Sequence, residues 1–220
     1  MTFNDIRIIG FDLDQTLYEK SVEIDEKIQE YLNTRIAARL GVSETEARDR
    51  FRALYQNGQG LSGGRSLVAL GFEKDDAGNI VQEALERADI DEFLVPNPHT
   101  IEFLQRCAER FDAVDLITGS PREIAKRKLK KLQIPIELFG ECITGDDASK
   151  SDGAAYRRWL GTYPDRVAND FLYVGDRPSS DYEVPKLLGI QSVLVNVVNA
   201  KVDCPQYPSI AALDTAMFPD

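Results

Sequence analysis

Apolar residues along this chain form two kinds of pattern, short continuous runs and longer segments that repeat about every four residues. Short runs bounded by polar residues are typical of buried β-strands. The predicted strands are residues 6–11, 113–118, 142–144, 171–174 and 192–197, and Gly10 is expected to break the first run. The predicted helices next to them cover residues 98–109, 122–132, the surroundings of 156–159, and 180–188. This alternation predicts an α/β fold with a doubly wound parallel sheet.

A helical block interrupts the alternation after the first strand. Its first helix has an apolar residue at every fourth position and ends at Gly41; these residues are Ile24, Ile28, Leu32, Ile36 and Leu40. A capping box at 43–46 starts a second helix, and Asn97 with Pro98 marks the return to the alternating pattern. We therefore predict a core domain of residues 1–19 and 96–220 and an inserted helical domain of residues 20–95.

Composition restricts the class of protein. With 220 residues, 43% hydrophobic and 29% charged, the chain fits one large domain or a core with an insertion. It has no run near the ~20 apolar residues of a membrane span and no pattern of a secretion signal. Three scattered cysteines fit a reducing compartment, so we expect a cytoplasmic protein without membrane association. The net charge of -11 argues against a nucleic-acid polymer as partner. A small anionic substrate is still compatible with this charge, because the local charge of a pocket governs its binding.

Acidic residues follow two of the predicted strands. Asp12 and Asp14 come after the first, and Asp176 and Asp181 come after 171–174. Neighbouring acids at the end of a buried strand are unfavourable unless a cation binds them, and Mg²⁺ prefers carboxylates together with phosphate oxygens. An acidic turn after an edge strand is the alternative.

Two other polar groups belong to the same pattern. Thr118 is the last residue of the strand at 113–118, Gly119 follows it, and Lys150 follows an acidic loop. Parallel α/β sheets bind ligands outside the carboxyl ends of their strands, so these groups are predicted to meet there. Taken singly, 118–121 fits a plain turn in which Ser120 caps the next helix, and Lys150 fits a surface lysine.

The order of carboxylate pair, hydroxyl, lysine and carboxylate pair resembles the haloacid dehalogenase-like (HAD) superfamily at all four of its motifs. The matching segments are Asp12-x-Asp14-x-Thr16, Thr118, Lys150, and Gly175-Asp176-x-x-x-x-Asp181. The resemblance implies a Rossmann-like core, and residues 20–95 would be the α-helical cap that many HAD enzymes carry. One departure is that Ser151 follows Lys150, where the family usually has proline.

The resemblance also implies how the acids act. Asp12 would be the nucleophile that forms an aspartyl-phosphate. Asp14 would be the general acid and base, a role that needs a raised pKa, which burial could supply. Mg²⁺ would bind the side chains of Asp12 and Asp176 and the backbone carbonyl of Asp14, with side-chain ligation by Asp14 as the alternative.

The remaining motif residues would serve the phosphoryl group. Thr118, Gly119 and Lys150 are the predicted phosphate-binding residues. Asp181 would orient Lys150 or a metal-bound water.

One basic segment, residues 122–132, contrasts with the acidic balance of the chain. Ile124, Lys128 and Leu132 share one helical face, with Ala125 and Leu129 beside it. The basic residues mostly take the opposite face. We interpret the segment as a solvated surface helix rather than an anion-binding patch.

The chemistry can be narrowed further within the superfamily. Asp14 favours phosphoryl transfer, because the true dehalogenases have another residue there. Tyr18, together with Tyr55 and the turn at 58–61, is similar to the pyrimidine 5′-nucleotidase branch. We therefore expect a Mg²⁺-dependent phosphatase for a small phosphorylated metabolite, with nucleoside 5′-monophosphates as one candidate class. A phosphomutase of the same fold and a non-catalytic small-molecule binding protein are the alternatives, and either a monomer or a homodimer fits.

Overall fold

The computed structural model describes residues 3–19, 21–55, 61–88, 90–197 and 200–219. It divides into two compact units, one of Met1–Lys20 with Leu94–Asp220 and one of Ser21–Phe93. Residues 58–60, which belong to the segment similar to the nucleotidase branch, lie outside the described residues.

A parallel six-stranded sheet forms the centre of the larger unit. Its strands are β1 (Ile8–Phe11), β2 (Ala113–Ile117), β3 (Cys142–Ile143), β4 (Phe171–Gly175), β5 (Gln191–Val195) and β6 (Gln206–Tyr207). They lie in the order β3-β2-β1-β4-β5-β6, and every neighbouring pair is parallel. The predicted α/β class is therefore confirmed. Strand β6 was not predicted, because two half-buried residues leave no apolar run in the sequence.

Helices lie between the strands and after the last strand. Within the described residues they are α1 (Val22–Leu40), α2 (Glu44–Leu54), α3 (Gly63–Ala69), α4 (Lys74–Arg87), α5 (Pro98–Arg110), α6 (Arg122–Lys131), α7 (Ala154–Thr162), α8 (Val184–Leu187) and α9 (Ile210–Met217). Short 3₁₀ turns occupy Asp91–Phe93, Ile136–Leu138 and Ala168–Asp170, and a π-helical turn occupies Pro178–Glu183. None of the described helices combines the length and the apolar character that crossing a membrane requires.

Gly10 interrupts the apolar run in the sequence but lies inside β1, so the strand continues through it. A Cβ atom at Gly10 would lie 2.6 Å from Ile117 and 2.7 Å from Trp159. The missing side chain therefore leaves room for the indole of α7 over the central strand. Trp159 is held there because its Nε1–H donates to the buried carboxylate of Asp115 on β2, at 2.7 Å.

The smaller unit is helical, and its helices pack on a core of their own. The core residues include Leu32, Ile36, Ala47, Phe51, Leu67, Ile80 and Ala84. Helix α1 ends as predicted at Gly41, which has a left-handed backbone with φ of 65° and donates its N–H to Ala37. Ser43 caps α2 by accepting from the N–H of Glu46.

Candidate active site

The strand order places the predicted motifs at neighbouring strand ends. Asp12 follows β1, the strand that lies between β2 and β4. Its N–H donates to the carbonyl of Val174 at 2.9 Å, so the chain is still aligned with β4 at this residue. Thr118 follows β2 and donates its N–H to Ile143 of β3 at 2.9 Å, while Asp176 follows β4. All seven predicted site residues lie in the larger unit.

Three carboxylates converge at this edge. One oxygen each of Asp12, Asp176 and Asp181 lies within 4.8 Å of the others, the arrangement expected of a metal-binding group. The ammonium of Lys150 is 3.0 Å from Asp12 Oδ1 and 2.8 Å from Asp181 Oδ1. The structure therefore brings Lys150 to the acids although no proline follows it.

Asp181 is held by the backbone of its own motif. Its Oδ2 accepts the N–H groups of Asp176 and Arg177, at 3.1 and 2.9 Å. A Cβ on Gly175 would lie 2.4 Å from that same oxygen, so only glycine at 175 allows this close approach. The π-helical turn at 178–183 thus brings Asp181 to the strand end, where its Oδ1 lies next to the ammonium of Lys150.

Burial and mutual repulsion leave negative charge poorly compensated at this cluster. Burial raises the pKa of Asp12 to about 6, with Lys150 opposing the shift and Asp181 and Asp14 adding to it. Burial likewise raises the pKa of Asp176 to about 8, against the opposing charge of Arg177. Burial alone would raise the pKa of Asp181. The charge of Lys150 and the hydrogen bonds to Asp181 outweigh burial and hold that pKa below its usual range.

Asp176 also has an unpaired oxygen. Its Oδ1 is buried and has no hydrogen-bond partner among the described residues; the Nε of Arg177 lies 4.0 Å away. A buried carboxylate oxygen without a donor is unfavourable unless a cation binds it. The side chains of Asp12 and Asp176 therefore fit a divalent cation that takes oxygen ligands, whereas both oxygens of Asp181 already accept hydrogen bonds.

Asp14 faces a different set of partners, and the pKa expected for it is wrong. Its Oδ1 accepts from Tyr18 Oη at 2.7 Å and from Lys128 Nζ at 2.5 Å, and its Oδ2 accepts from Ser120 Oγ at 2.5 Å. Burial alone would raise the pKa of Asp14, but the Lys128 charge and these hydrogen bonds outweigh it and hold the pKa well below its usual range. The Asp14 side chain is a bound carboxylate and is not part of the metal-binding group of Asp12, Asp176 and Asp181.

Sequence reasoning missed Lys128 as a site residue. The lysine lies on the buried face of α6 with Ala125 and Leu129, and its side chain is fully buried. The signal was present, because a lysine on the apolar face of an amphipathic helix needs a buried counter-charge. The rest of the interpretation of α6 agrees with the structure, since Lys126, Lys130 and Lys131 are exposed.

The turn after β2 also differs from the simple capping turn. Thr118 is buried, its Oγ1 accepts the N–H of Ser120 at 3.1 Å, and Gly119 is exposed with open space around its Cα. Ser120 does not cap α6, because its hydroxyl donates to Asp14. Instead Asp146 Oδ2 accepts the first N–H of the helix, that of Arg122, at 2.8 Å.

Comparison with known proteins agrees with this geometry. The family model described as haloacid dehalogenase-like hydrolase matches residues 9–184, a stretch that contains every predicted site residue. The chain belongs to this HAD family. No curated protein sequence matches the chain.

Solved structures share the HAD fold at low sequence identity. A HAD phosphatase from Thermococcus onnurineus is 19% identical, with a TM-score of 0.61 over 96% of this chain and 98% of that one. A candidate β-phosphoglucomutase from Thermotoga maritima is 19% identical, with a TM-score of 0.60 over 96% and 97%. A 2-haloacid dehalogenase from Pseudomonas syringae is 20% identical, with a TM-score of 0.53 over 96% of both chains. These three proteins are named for different reactions. The shared fold therefore does not determine the reaction, which depends on the residues of the site.

Proposed function

We propose that this HAD hydrolase is a Mg²⁺-dependent phosphatase that cleaves a small phosphomonoester through an aspartyl-phosphate on Asp12. The observation that carries the proposal is the buried Asp12 carboxylate, 3.0 Å from Lys150, at a strand end where Asp176 adds poorly compensated negative charge and Asp181 completes the acidic cluster. A phosphate dianion can approach such a site only when cations neutralise both it and the nucleophile.

Asp12 is the nucleophile of the proposal. Its Oδ1 contacts Lys150, whose ammonium also contacts Asp181. Lys150 therefore stabilises the attacking carboxylate and the negative charge of the incoming phosphoryl group together. The Thr118 hydroxyl and the N–H of Gly119, an exposed residue, are the proposed donors to the phosphoryl oxygens, because they lie at the adjacent end of β2.

The metal ligands of the proposal are the side chains of Asp12 and Asp176, with the backbone carbonyl of Asp14. A Mg²⁺ ion bound there supplies positive charge that neutralises the nucleophile and the phosphoryl oxygens. The unpaired Oδ1 of Asp176 and its raised pKa support this assignment from the residues present.

Asp14 is the proposed proton-transfer group. Three donors hold it as a carboxylate, which is the form that can accept a proton from the water that cleaves the aspartyl-phosphate. Donating a proton to the leaving alcohol requires a protonated Asp14, which the Lys128 charge disfavours. Asp14 is therefore the proposed base and acid, and its three donors favour the carboxylate form that acts as the base.

The domain division is part of the proposal as well. Residues 1–19 and 96–220 would carry the chemistry, and the helical residues 20–95 would be the cap that selects the ester. The nucleotidase branch enters only as a choice of test substrates, since Tyr18 has another use here as a donor to Asp14.

Phosphate release from a panel of esters tests the proposal. The panel contains UMP, CMP, AMP, sugar phosphates and p-nitrophenyl phosphate, each with and without Mg²⁺. Wild-type protein is expected to turn over at least one ester only with Mg²⁺, and Asp12→Asn is expected to lower turnover by about 10³-fold or more. Asp165→Asn makes the same chemical change at an exposed position and should leave turnover unchanged.

Three results distinguish the alternatives. Acid-quenched wild-type protein should gain the mass of one phosphoryl group, and Asp12→Asn should not. Turnover that requires a catalytic amount of a bisphosphate would instead identify a phosphomutase. A folded protein that binds Mg²⁺ and phosphate but cleaves no ester would support the binding-protein alternative and overturn the proposal.

A further inference from the structure

Lys128, the buried lysine of α6, contacts Asp14 but is not one of the groups to which the proposed chemistry gives a role. The Lys128 side chain is fully buried, and its Nζ lies 2.5 Å from Asp14 Oδ1 and 3.4 Å from Ser120 Oγ. An ammonium is rarely buried completely unless a carboxylate pairs with it. The fold therefore places the Lys128 ammonium against Asp14, whose side chain lies outside the carboxylate cluster of Asp12, Asp176 and Asp181.

Among the residues that the structure describes, the hydrogen bonds to Asp14 leave one accepting position open. A carboxylate has about four such positions, two on each oxygen. Tyr18 and Lys128 use both positions of Oδ1, and Ser120 uses one position of Oδ2. The carboxylate is thus fixed in one orientation, and Oδ2 can accept one more hydrogen bond.

Contacts with a neighbouring loop fix the start of α6. Asp146 accepts the N–H of Arg122, and the Arg122 guanidinium pairs with Asp147. In addition, the N–H of Gly145 donates to the carbonyl of Ser120 at 3.0 Å. These contacts join α6 and Ser120 to the loop that leads to Lys150, so the position of Lys128 is determined by the framework of the site.

We propose that Lys128 is a positioning residue for the second half of the reaction, in which it holds Asp14 in place to receive the proton of the attacking water. This inference rests on the proposed function. In the step concerned, the water oxygen bonds to phosphorus while the bond between phosphorus and the Asp12 oxygen breaks. The electron pair of that bond returns to Asp12, one water proton goes to Asp14 Oδ2 and later to solvent, and phosphate leaves.

A substrate with a good leaving group separates this half of the reaction from the first. p-Nitrophenolate leaves without a proton, so formation of the aspartyl-phosphate from p-nitrophenyl phosphate does not need Asp14 as an acid. For a covalent mechanism, kcat/KM reports the steps up to the intermediate, and kcat includes its breakdown. A loss confined to breakdown therefore lowers kcat and KM together.

Lys128→Met is the decisive variant, tested with p-nitrophenyl phosphate and saturating Mg²⁺. We expect kcat to fall at least about 10-fold, kcat/KM to stay within about twofold, and a burst of one p-nitrophenolate per enzyme to appear. Lys126→Met removes an exposed lysine of the same helix that pairs with Glu123, and it should behave like wild type.

Two milder variants test the same inference if Lys128→Met does not fold. Tyr18→Phe and Ser120→Ala each remove one donor to Asp14, and each should lower kcat more than kcat/KM. Equal losses of kcat and kcat/KM without a burst, in whichever of these variants fold, would overturn the role of Lys128 and leave the phosphatase intact. Absence of turnover by wild-type protein would instead overturn the proposed function, and this inference with it.

Discussion

At the scale of single residues, two glycines create the space that the site needs. Gly10 admits Trp159 over the central strand, and Gly175 admits the carboxylate of Asp181. In both places a Cβ atom would lie closer to its neighbours than van der Waals contact allows. Their requirement is steric, because neither position has the left-handed backbone that otherwise favours glycine.

Gly10→Ala is expected to lower the free energy of unfolding by about 1–3 kcal/mol, since the new methyl group overpacks Ile117 and Trp159. Urea unfolding followed by tryptophan fluorescence measures the change. Gly161→Ala is the matched control, because a Cβ there meets no atom within 4 Å and alanine favours the helix. Equal stability of the two variants would show that β1 and α7 can move apart without loss.

At the scale of elements, helix ends and helix faces were the most predictable features. Helix α1 ends at Gly41, and α5 begins at Pro98 with Asn97 accepting the N–H of His99, both as the local residues indicate. The residues on the buried face of α6 were also predictable, but the partner of its buried lysine was not. A capping residue acts on its own backbone, whereas the partner of Lys128 lies 114 residues away in the chain.

Gly41→Ala is expected to destabilise the helical unit by about 1 kcal/mol, because alanine is strained at a φ of 65°. Hydrogen exchange of the α1 amides should become faster by a corresponding factor. Gly78→Ala, in α4 with open space around it, should slow exchange in its own helix. Unchanged exchange in α1 after Gly41→Ala would mean that the helix can end without a left-handed residue.

At the scale of the whole molecule, the charges of the site couple folding to pH and to metal. The acids Asp12, Asp14, Asp176 and Asp181 share the site with the cations Lys128, Lys150 and Arg177. Lys128 neutralises Asp14, so the poorly compensated charge falls on Asp12 and Asp176. Both have a folded-state pKa above the value of 3.8 that they have when exposed.

Without metal, the free energy of unfolding is expected to fall as pH rises from about 5 to 8. The folded protein keeps a proton on Asp12 up to about pH 6 and on Asp176 up to about pH 8, whereas the unfolded chain has lost both. Raising the pH therefore favours unfolding, by on the order of a few kcal/mol. The lowered pKa values of Asp14 and Asp181 act in the opposite direction but at lower pH.

Urea unfolding at several pH values, with and without Mg²⁺, measures this coupling. Mg²⁺ should reduce the loss of stability toward pH 8, because it binds the ionised carboxylates and releases their protons. Asp176→Asn should flatten the metal-free dependence, while Asp165→Asn should retain it. A metal-free stability that rises between pH 5 and 8 would contradict the raised pKa values.

The sequence by itself determined the parallel α/β core, the order of its motifs and the ends of several helices. These follow from local rules, since apolar periodicity, capping residues and the chemistry at strand ends are all readable within short segments. The approach of Lys150 to Asp12 and Asp181 could be anticipated for the same reason, because parallel strands bring their carboxyl ends together.

Only the tertiary structure decided the charge states within the site. Asp12 and Asp14 are two residues apart, yet burial near other acids raises the pKa of one, and a distant lysine with two hydroxyl groups lowers that of the other. A pKa depends on every charge and donor within a few ångströms, whatever their separation along the chain. For that reason the expected rise for Asp14 was wrong, and Lys128 became visible only when α6 was packed against the sheet.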